Sequence, residues 1–303
     1  LGTSSPRING ANLKTNGWEL TLGYNDSFEV LGSPLNIGAN FTIANNKAVI
    51  TKYENPNGNL DDLYVGKELG EIWGLTSAGF FRNEEEIAAL DQSEVTGYLG
   101  VRPIEPGDLK FADLDGNNAI SKEAWTLDDH GDYSVIGNSL PRLPYSFRVN
   151  LDWKGFDLSV FFQGIGQMDY YPPAGQFTFW GVYAEPWTNV LQSNLDHWTP
   201  ENPNGYFPRL KSYIAEKDYW DLGIPQTRYL QDASYLRLRN LTFGYTLPKK
   251  WTSKIGIEKL RVYFSGENLA LWTDLSENLD PENLSGTNYP INKTYSFGID
   301  LNF

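Results

Sequence analysis

The chain has 303 residues, a formal net charge of -14, no Cys, and 10 Trp, 18 Tyr and 16 Phe, which together make it 15% aromatic. The acidic balance and the lack of a Lys/Arg stripe exclude a nucleic-acid surface and disfavour an anionic polymer as partner, and the missing thiols remove disulfides, thiolate catalysis and Cys-based zinc sites. A mean hydropathy of -0.44, with no apolar run near the roughly eighteen residues a spanning helix needs, excludes a bundle of membrane helices but not membrane strands, whose alternating faces average out near neutral.

In chain order, Leu1-Gly2-Thr3-Ser4-Ser5-Pro6 has neither the basic start nor the apolar stretch of a signal peptide. Either the protein is intracellular or this is not its true start. Period-two alternation begins at Trp18, Leu20, Leu22 and Tyr24 and returns at Leu35, Ile37, Ala39, Phe41 and Ile43, predicting a hairpin through a polar linker around Asn25 to Pro34. A long connection over 45–145 carries the charge runs Asp61-Asp62, Glu84-Glu85-Glu86 and Asp128-Asp129, which read as solvated loop surface.

Within that connection Asp113, Asp115, Asn117, Ala119, Ser121 and Glu123 put oxygen donors at alternate positions, with Ala119 offering a carbonyl, as in a calcium loop. An EF-hand would want Gly where Asn118 stands and Glu where Ala124 stands, and helices on either side; the other reading is an Asp/Asn/Gly turn with its own Asx hydrogen bonds.

The clearest hairpin follows, Phe147, Val149, Leu151 and Trp153, then Lys154-Gly155, then Phe156, Leu158, Val160 and Phe162. A second long connection, 165–234, is crowded with rings, among them Tyr170, Tyr171, Phe177, Phe179, Trp180, Tyr183, Trp187, Trp198, Tyr206, Phe207, Tyr219 and Trp220. Trp180, Tyr183, Trp187 and Trp198 are candidates for partner or ligand contact; the other reading is that the rings pack the loops onto each other. Both histidines, His130 and His197, lie in these loops without a recognisable nucleophile, so no catalytic residue is assigned.

A third pair runs Leu241, Phe243, Tyr245 and then, past Leu247-Pro248 and a lysine-rich connection, Leu260, Val262, Phe264. After a third long connection, 267–292, the chain ends on Tyr295, Phe297, Ile299, Leu301 and Phe303, alternating with Ser296, Gly298, Asp300 and Asn302. Eleven residues at ~3.3 Å rise and ~45° tilt span roughly one apolar band. Phe297, Ile299, Leu301 and Phe303 read as an assembly signal on the lipid-facing register.

Short turns at one end and long loops at the other are what outer-membrane barrels have, short on the periplasmic and long on the extracellular side. The fold class is therefore all-β, the C-terminal portion of a large transmembrane antiparallel β-barrel with long extracellular loops. Seven strands are odd in number and leave two bare edges in lipid, whereas bacterial single-chain barrels have even counts; a sizeable N-terminal part is expected elsewhere.

The runs Gly107-Asp108-Leu109-Lys110-Phe111-Ala112-Asp113-Leu114-Asp115-Gly116-Asn117, Val135-Ile136-Gly137-Asn138-Ser139-Leu140-Pro141, Lys154 to Gly164, His197-Trp198-Thr199-Pro200-Glu201-Asn202-Pro203, Ala233 to Asn240, Gly244-Tyr245-Thr246-Leu247-Pro248 and Gly266-Glu267-Asn268-Leu269 resemble the C-terminal third of SusC/RagA-like TonB-dependent transporters of Bacteroidetes. Asn16-Gly17-Trp18-Glu19 and Ile72-Trp73-Gly74 fit the same pattern. The resemblance implies that all of 1–303 is the C-terminal part of a 22-stranded, plugged barrel in the outer membrane, with the plug domain and N-terminal strands absent. Its implied partners are a SusD-like surface lipoprotein as lid, the TonB complex through the missing N-terminal part, and the barrel assembly machinery; its implied cargo is an oligosaccharide or peptide. The Asp-rich loop departs from the commoner family form at Asn118 and Glu123, and Ca2+ is the cofactor its oxygen donors would suit. Two competing readings remain: a secreted all-β carbohydrate-binding protein with an aromatic platform, and an envelope hydrolase with a carboxylate dyad.

Overall fold

The computed structural model describes residues 9–96, 103–215, 217, 220–285 and 289–303; Leu1 to Pro6 and Tyr219 lie outside the described residues. All seven alternating stretches become strands of one antiparallel sheet in strict sequence order: β1 (Ala11–Val30), β2 (Ser33–Tyr53), β3 (Arg142–Trp153), β4 (Phe156–Gln167), β5 (Tyr235–Thr246), β6 (Lys259–Thr273) and β7 (Thr294–Asn302). The sheet is open, with β1 and β7 at its two edges.

The polar linker expected around Asn25 to Pro34 is a correction. Pairing runs unbroken from Asn25 opposite Gly38 to Val30 opposite Ser33, and only Leu31-Gly32 turn. The strand is hidden in the sequence because Asp26 interrupts the apolar register, standing opposite Ile37. Leu31 (φ 50°) and Gly32 (φ 70°), like Lys154 (φ 49°) and Gly155 (φ 85°), are left-handed at both central positions, the type I′ geometry whose twist matches the flanking strands. The third connection at this end is longer and holds the helical turns Lys249–Thr252 and Ser253–Ile255.

Register aligns the side chains in rows across all seven strands. Phe28, Leu35, Trp153, Phe156, Tyr245, Val262 and Ile299 stand opposite one another in turn, and three residues further along is the row Asn25, Gly38, Asn150, Ser159, Thr242, Ser265 and Ser296 on the other face. One face is apolar and exposed, with Phe297 84% and Ile299 65% accessible, although a water-soluble sheet would bury such residues. The other face is polar and hydrogen-bonded, as between Ser159 Oγ and Asn150 Oδ1 at 2.8 Å. Nine to eleven tilted residues cross an apolar band of about 25 Å, so β1 and β2, at 20 and 21 residues, extend well past it.

The core lies outside the sheet. The described residues of 54–141 and 168–234 fold together over its long-loop end around Trp180, Tyr183, Phe207, Tyr229, Phe111, Leu75 and Leu222, all 1% exposed or less. Backbone hydrogen bonds stitch the two loops, from Leu75 N to Pro225 O (2.9 Å) and from Thr227 N to Leu75 O (3.1 Å). Gly74 is required at this seam, since a Cβ there would stand 2.3 Å from the Pro225 carbonyl oxygen.

Candidate functional site

The polar face near the short-turn end is organised by one arginine. Arg261 on β6 donates from Nε (2.9 Å) and Nη2 (2.6 Å) to the two oxygens of Asp157 on β4, and from Nη1 to Asp300 on β7 (3.0 Å). To reach Asp157 the guanidinium must cross β5, and it does so over Gly244, where a Cβ would meet Asp157 Oδ1 at 2.6 Å and Arg261 Nε at 2.7 Å. Bidentate arginine pairs of this kind combine charge with fixed geometry.

Toward the loop end, the pairing of β5 shifts between Leu238 and Asn240 against both neighbours, leaving Arg239 unpaired in the ladder. Such a bulge adds one residue and reverses the alternation. Tyr235, Arg237 and Arg239 therefore share the polar face with Asn240 and Thr242, while the apolar series Leu236, Leu238 continues as Leu241, Phe243. Tyr235, Arg237 and Arg239 meet the following loop at Asp280 and Glu282. Arg237, 3% exposed, grips both oxygens of Asp280 (2.7 and 2.8 Å) and sets Nε 2.7 Å from Glu282 Oε2. Arg239 also pairs with Glu282, and Tyr235 donates to Glu282 Oε1 at 3.1 Å. No sequence reading singled out this clamp, because its acids and bases come from segments that alternation treats separately.

Of the four ring candidates, the structure puts Trp180 and Tyr183 at 0% exposure in the loop core, a correction to their assignment as contact residues. Phe207 stacks on Tyr183 (5.2 Å between centroids) and Tyr229 (5.6 Å), and Phe179 meets Trp180 edge-on at 4.6 Å. Their polar ends are satisfied internally, with Tyr183 donating to Pro208 O (2.8 Å) and Trp180 Nε1 to Pro173 O (3.1 Å). Burial carries the hydroxyl of Tyr183 far above the ordinary phenol range. Trp198 is half-buried on Gly107, whose φ of +93° and missing side chain make room for it: a Cβ would stand 2.3 Å from the ring. Trp187 alone of the four is strongly exposed, at 71%. Ring count cannot separate these roles, because core and surface draw on the same residue types.

In the Asp-rich loop, Asp113 and Asp115 converge with Asp132, one oxygen of each lying within 4.8 Å of the others. Asn117 donates from Nδ2 to Asp115 Oδ2 (3.0 Å) while its Oδ1 accepts from Ala119 N (2.7 Å), and Ser121 Oγ donates to Glu123 (2.8 Å). Asn118 takes φ +64°, so asparagine fills the left-handed place where an EF-hand has glycine. Asp113 accepts the amides of Gly116 (2.7 Å) and Asn118 (2.9 Å), and Asp132 those of Leu114 (2.6 Å) and Ser121 (3.0 Å). The amide of Asn117 favours the Asp115 carboxylate, but desolvation and repulsion from Asp132 and Asp113 prevail and raise its pKa. Three converging carboxylates, one of them held above its ordinary range by the others, suit a hard divalent cation, each oxygen keeping a lone pair beyond its amide bond. Asp132 lies too far along the chain for local spacing to have found it.

An amphipathic antiparallel sheet of this length, with its large loops gathered at one end and its apolar face uncovered, is a section of the wall of a transmembrane β-barrel. No family model matches the chain. It is 28% identical over 339 residues to TonB-dependent receptor P3 of Formosa agariphila, covering 100% of this chain and 30% of that protein. Against TonB-dependent receptor P26 of the same organism it is 28% identical over 264 residues, covering 80% of this chain and 23% of the relative. Among solved structures it matches that of the RagAB peptide transporter with a TM-score of 0.64 at 22% identity, over 99% of this chain and 30% of that one. The RagAB peptide importer in its 'open-open' state gives 0.62 at 22% identity, over 97% and 29%. The chain is thus similar in sequence to TonB-dependent receptors and shares the fold of the matching part of the RagAB structures, and it spans less than a third of the length of the relatives it matches.

Proposed function

We propose that the chain supplies the C-terminal part of the barrel wall, and the extracellular loops, of an outer-membrane importer that takes up oligosaccharides or peptides at the expense of TonB-transmitted energy. The observation that carries this reading is the pairing of an uncovered apolar face with a polar face whose far end is roofed by two folded loops. Plug, TonB-engaging segment and remaining strands would come from the rest of the protein, in keeping with the share of its relatives that the chain spans. A SusD-like lipoprotein would meet the roof; the name RagAB peptide transporter, attached to the matching solved structures, supports peptides as one cargo class. Phe297, Ile299, Leu301 and Phe303 would present the last strand to the assembly machinery, and Asp113, Asp115 and Asp132 would hold calcium against the loops.

A secreted carbohydrate-binding protein is less well supported, since two of the four rings of its platform are buried and the sheet offers water a face of Phe, Leu and Ile. The test is uptake by the full-length protein in its outer membrane. Labelled peptide or oligosaccharide should enter only while the TonB system is energised. Uptake indifferent to TonB, or recovery of the full-length protein from the soluble fraction without detergent, would overturn the proposal.

A further inference from the structure

A cavity of about 280 Å³ opens between the two folded loops, lined by Gly79, Phe80, Arg82, Glu86, Lys110 and Arg228 together with Pro203 and Asn204. Its charge runs against that of the chain. Three cations face one carboxylate, in a protein whose net charge is -14. Glu86 is engaged by Lys110 at 3.3 Å. Arg228 is fixed with its guanidinium 4.3 Å from the centre of the Phe80 ring, and it donates to the carbonyls of Tyr206 (2.9 Å) and Gly205 (2.6 Å), groups that orient it without neutralising it. Arg82 is exposed, and its backbone amide donates to Glu86 Oε2 at 3.3 Å, so it stands with Lys110 beside the one carboxylate. Arg228 is thus rigid, and Arg82 and Lys110 share the single negative charge of Glu86, which leaves cations in excess around a half-open space too small for a polymer. Such a space holds unspent positive charge and donors whose fork geometry matches planar or tetrahedral oxyanions.

We infer that this cavity is a binding site for a single oxyanion group, a carboxylate or sulfate borne by a small ligand, held by Arg82, Lys110 and Arg228. The site sits in the loop roof, apart from the polar face of the sheet, and does not depend on the transport reading. It is also compatible with the exclusion of polyanions, because the favourable potential is confined to the cavity while the chain as a whole repels them.

The test is equilibrium binding to the full-length detergent-solubilised protein, using inorganic sulfate, digalacturonate and N-acetyl-Ala-Ala as anionic probes and digalactose and N-acetyl-Ala-Ala methyl ester as neutral counterparts. At least one anionic probe should bind saturably and more weakly as salt rises, and if it is digalacturonate or N-acetyl-Ala-Ala its neutral counterpart should bind at least about tenfold more weakly. Arg82→Gln, at an exposed position that leaves packing intact, should weaken that probe about tenfold, and Arg82→Gln with Lys110→Gln should abolish it. Sulfate binding alone identifies a tetrahedral-anion site, whereas digalacturonate or the acetyl dipeptide identifies a carboxylate borne by sugar or by peptide. Absence of saturable binding by all three, equal binding of a neutral counterpart, or binding untouched by the double variant would refute the inference.

Discussion

Residues of one chemical type serve opposite purposes in this chain, and their surroundings decide which. Trp180 and Trp187 are seven residues apart in one loop, yet the first is wholly enclosed and the second is 71% exposed. Trp180→Ala should cost about 3 to 5 kcal/mol of loop-unit stability through the cavity it leaves, while Trp187→Ala should stay within about 0.5 kcal/mol; thermal melting of the full-length protein distinguishes them, and equal losses would contradict the burial described. Removing Arg237 leaves the partly buried Asp280 without its counter-charge and Glu282 with Arg239 alone, and an ion pair broken on one side is destabilising. Arg237→Gln should therefore release the loop 274–293, read as faster proteolytic nicking there with the rest of the protein resistant. Unchanged nicking would mean that the clamp holds nothing.

At the scale of elements, alternation made the seven strands legible, because one-sided burial imposes period two wherever a sheet separates unlike media. It failed where the register is locally broken. Asp26 on the apolar side concealed the last turn of β1, and the bulge at Arg239 concealed the inward reach of Tyr235 and Arg237, since the first apolar residue recognised in β5 lay beyond it. Loop roles were the least legible: a loop core is built from contacts distant in sequence, so Gly107 beneath Trp198 and Asp132 beside Asp113 have no local signature. The bulge gives a prediction at this scale. Deleting Arg239 would force either Tyr235 to Leu238 or Asn240 to Thr246 onto the wrong face, as any one-residue slip does. The deletion should abolish membrane assembly, whereas Arg239→Gln, which keeps the residue count, should preserve it; heat-modifiable gel migration reports both, and assembly of the deletion variant would show that the bulge sets no register.

For the whole molecule, the sheet divides two environments, and every larger feature follows from that division. Strands longer than the bilayer requires carry the loop roof clear of it, the loops supply the core that the sheet lacks, and the apolar face is left for lipid. Substitution distinguishes the faces energetically: Ile299→Arg should impair folding into bilayers by roughly 2 to 4 kcal/mol, while Asn150→Arg on the polar face should assemble nearly as well as the parent. A buried core would give the same contrast, so the environment itself must be read. The most direct measurement is the collision accessibility of spin labels at positions 160 and 299, with position 150 as counterpart, in the full-length protein reconstituted into bilayers. Labels at 160 and 299 should be relaxed by oxygen dissolved in lipid and not by a water-soluble paramagnetic reagent, and the label at 150 should be screened from lipid; relaxation of 160 and 299 by the aqueous reagent, or their protection from both, would contradict a membrane-spanning wall.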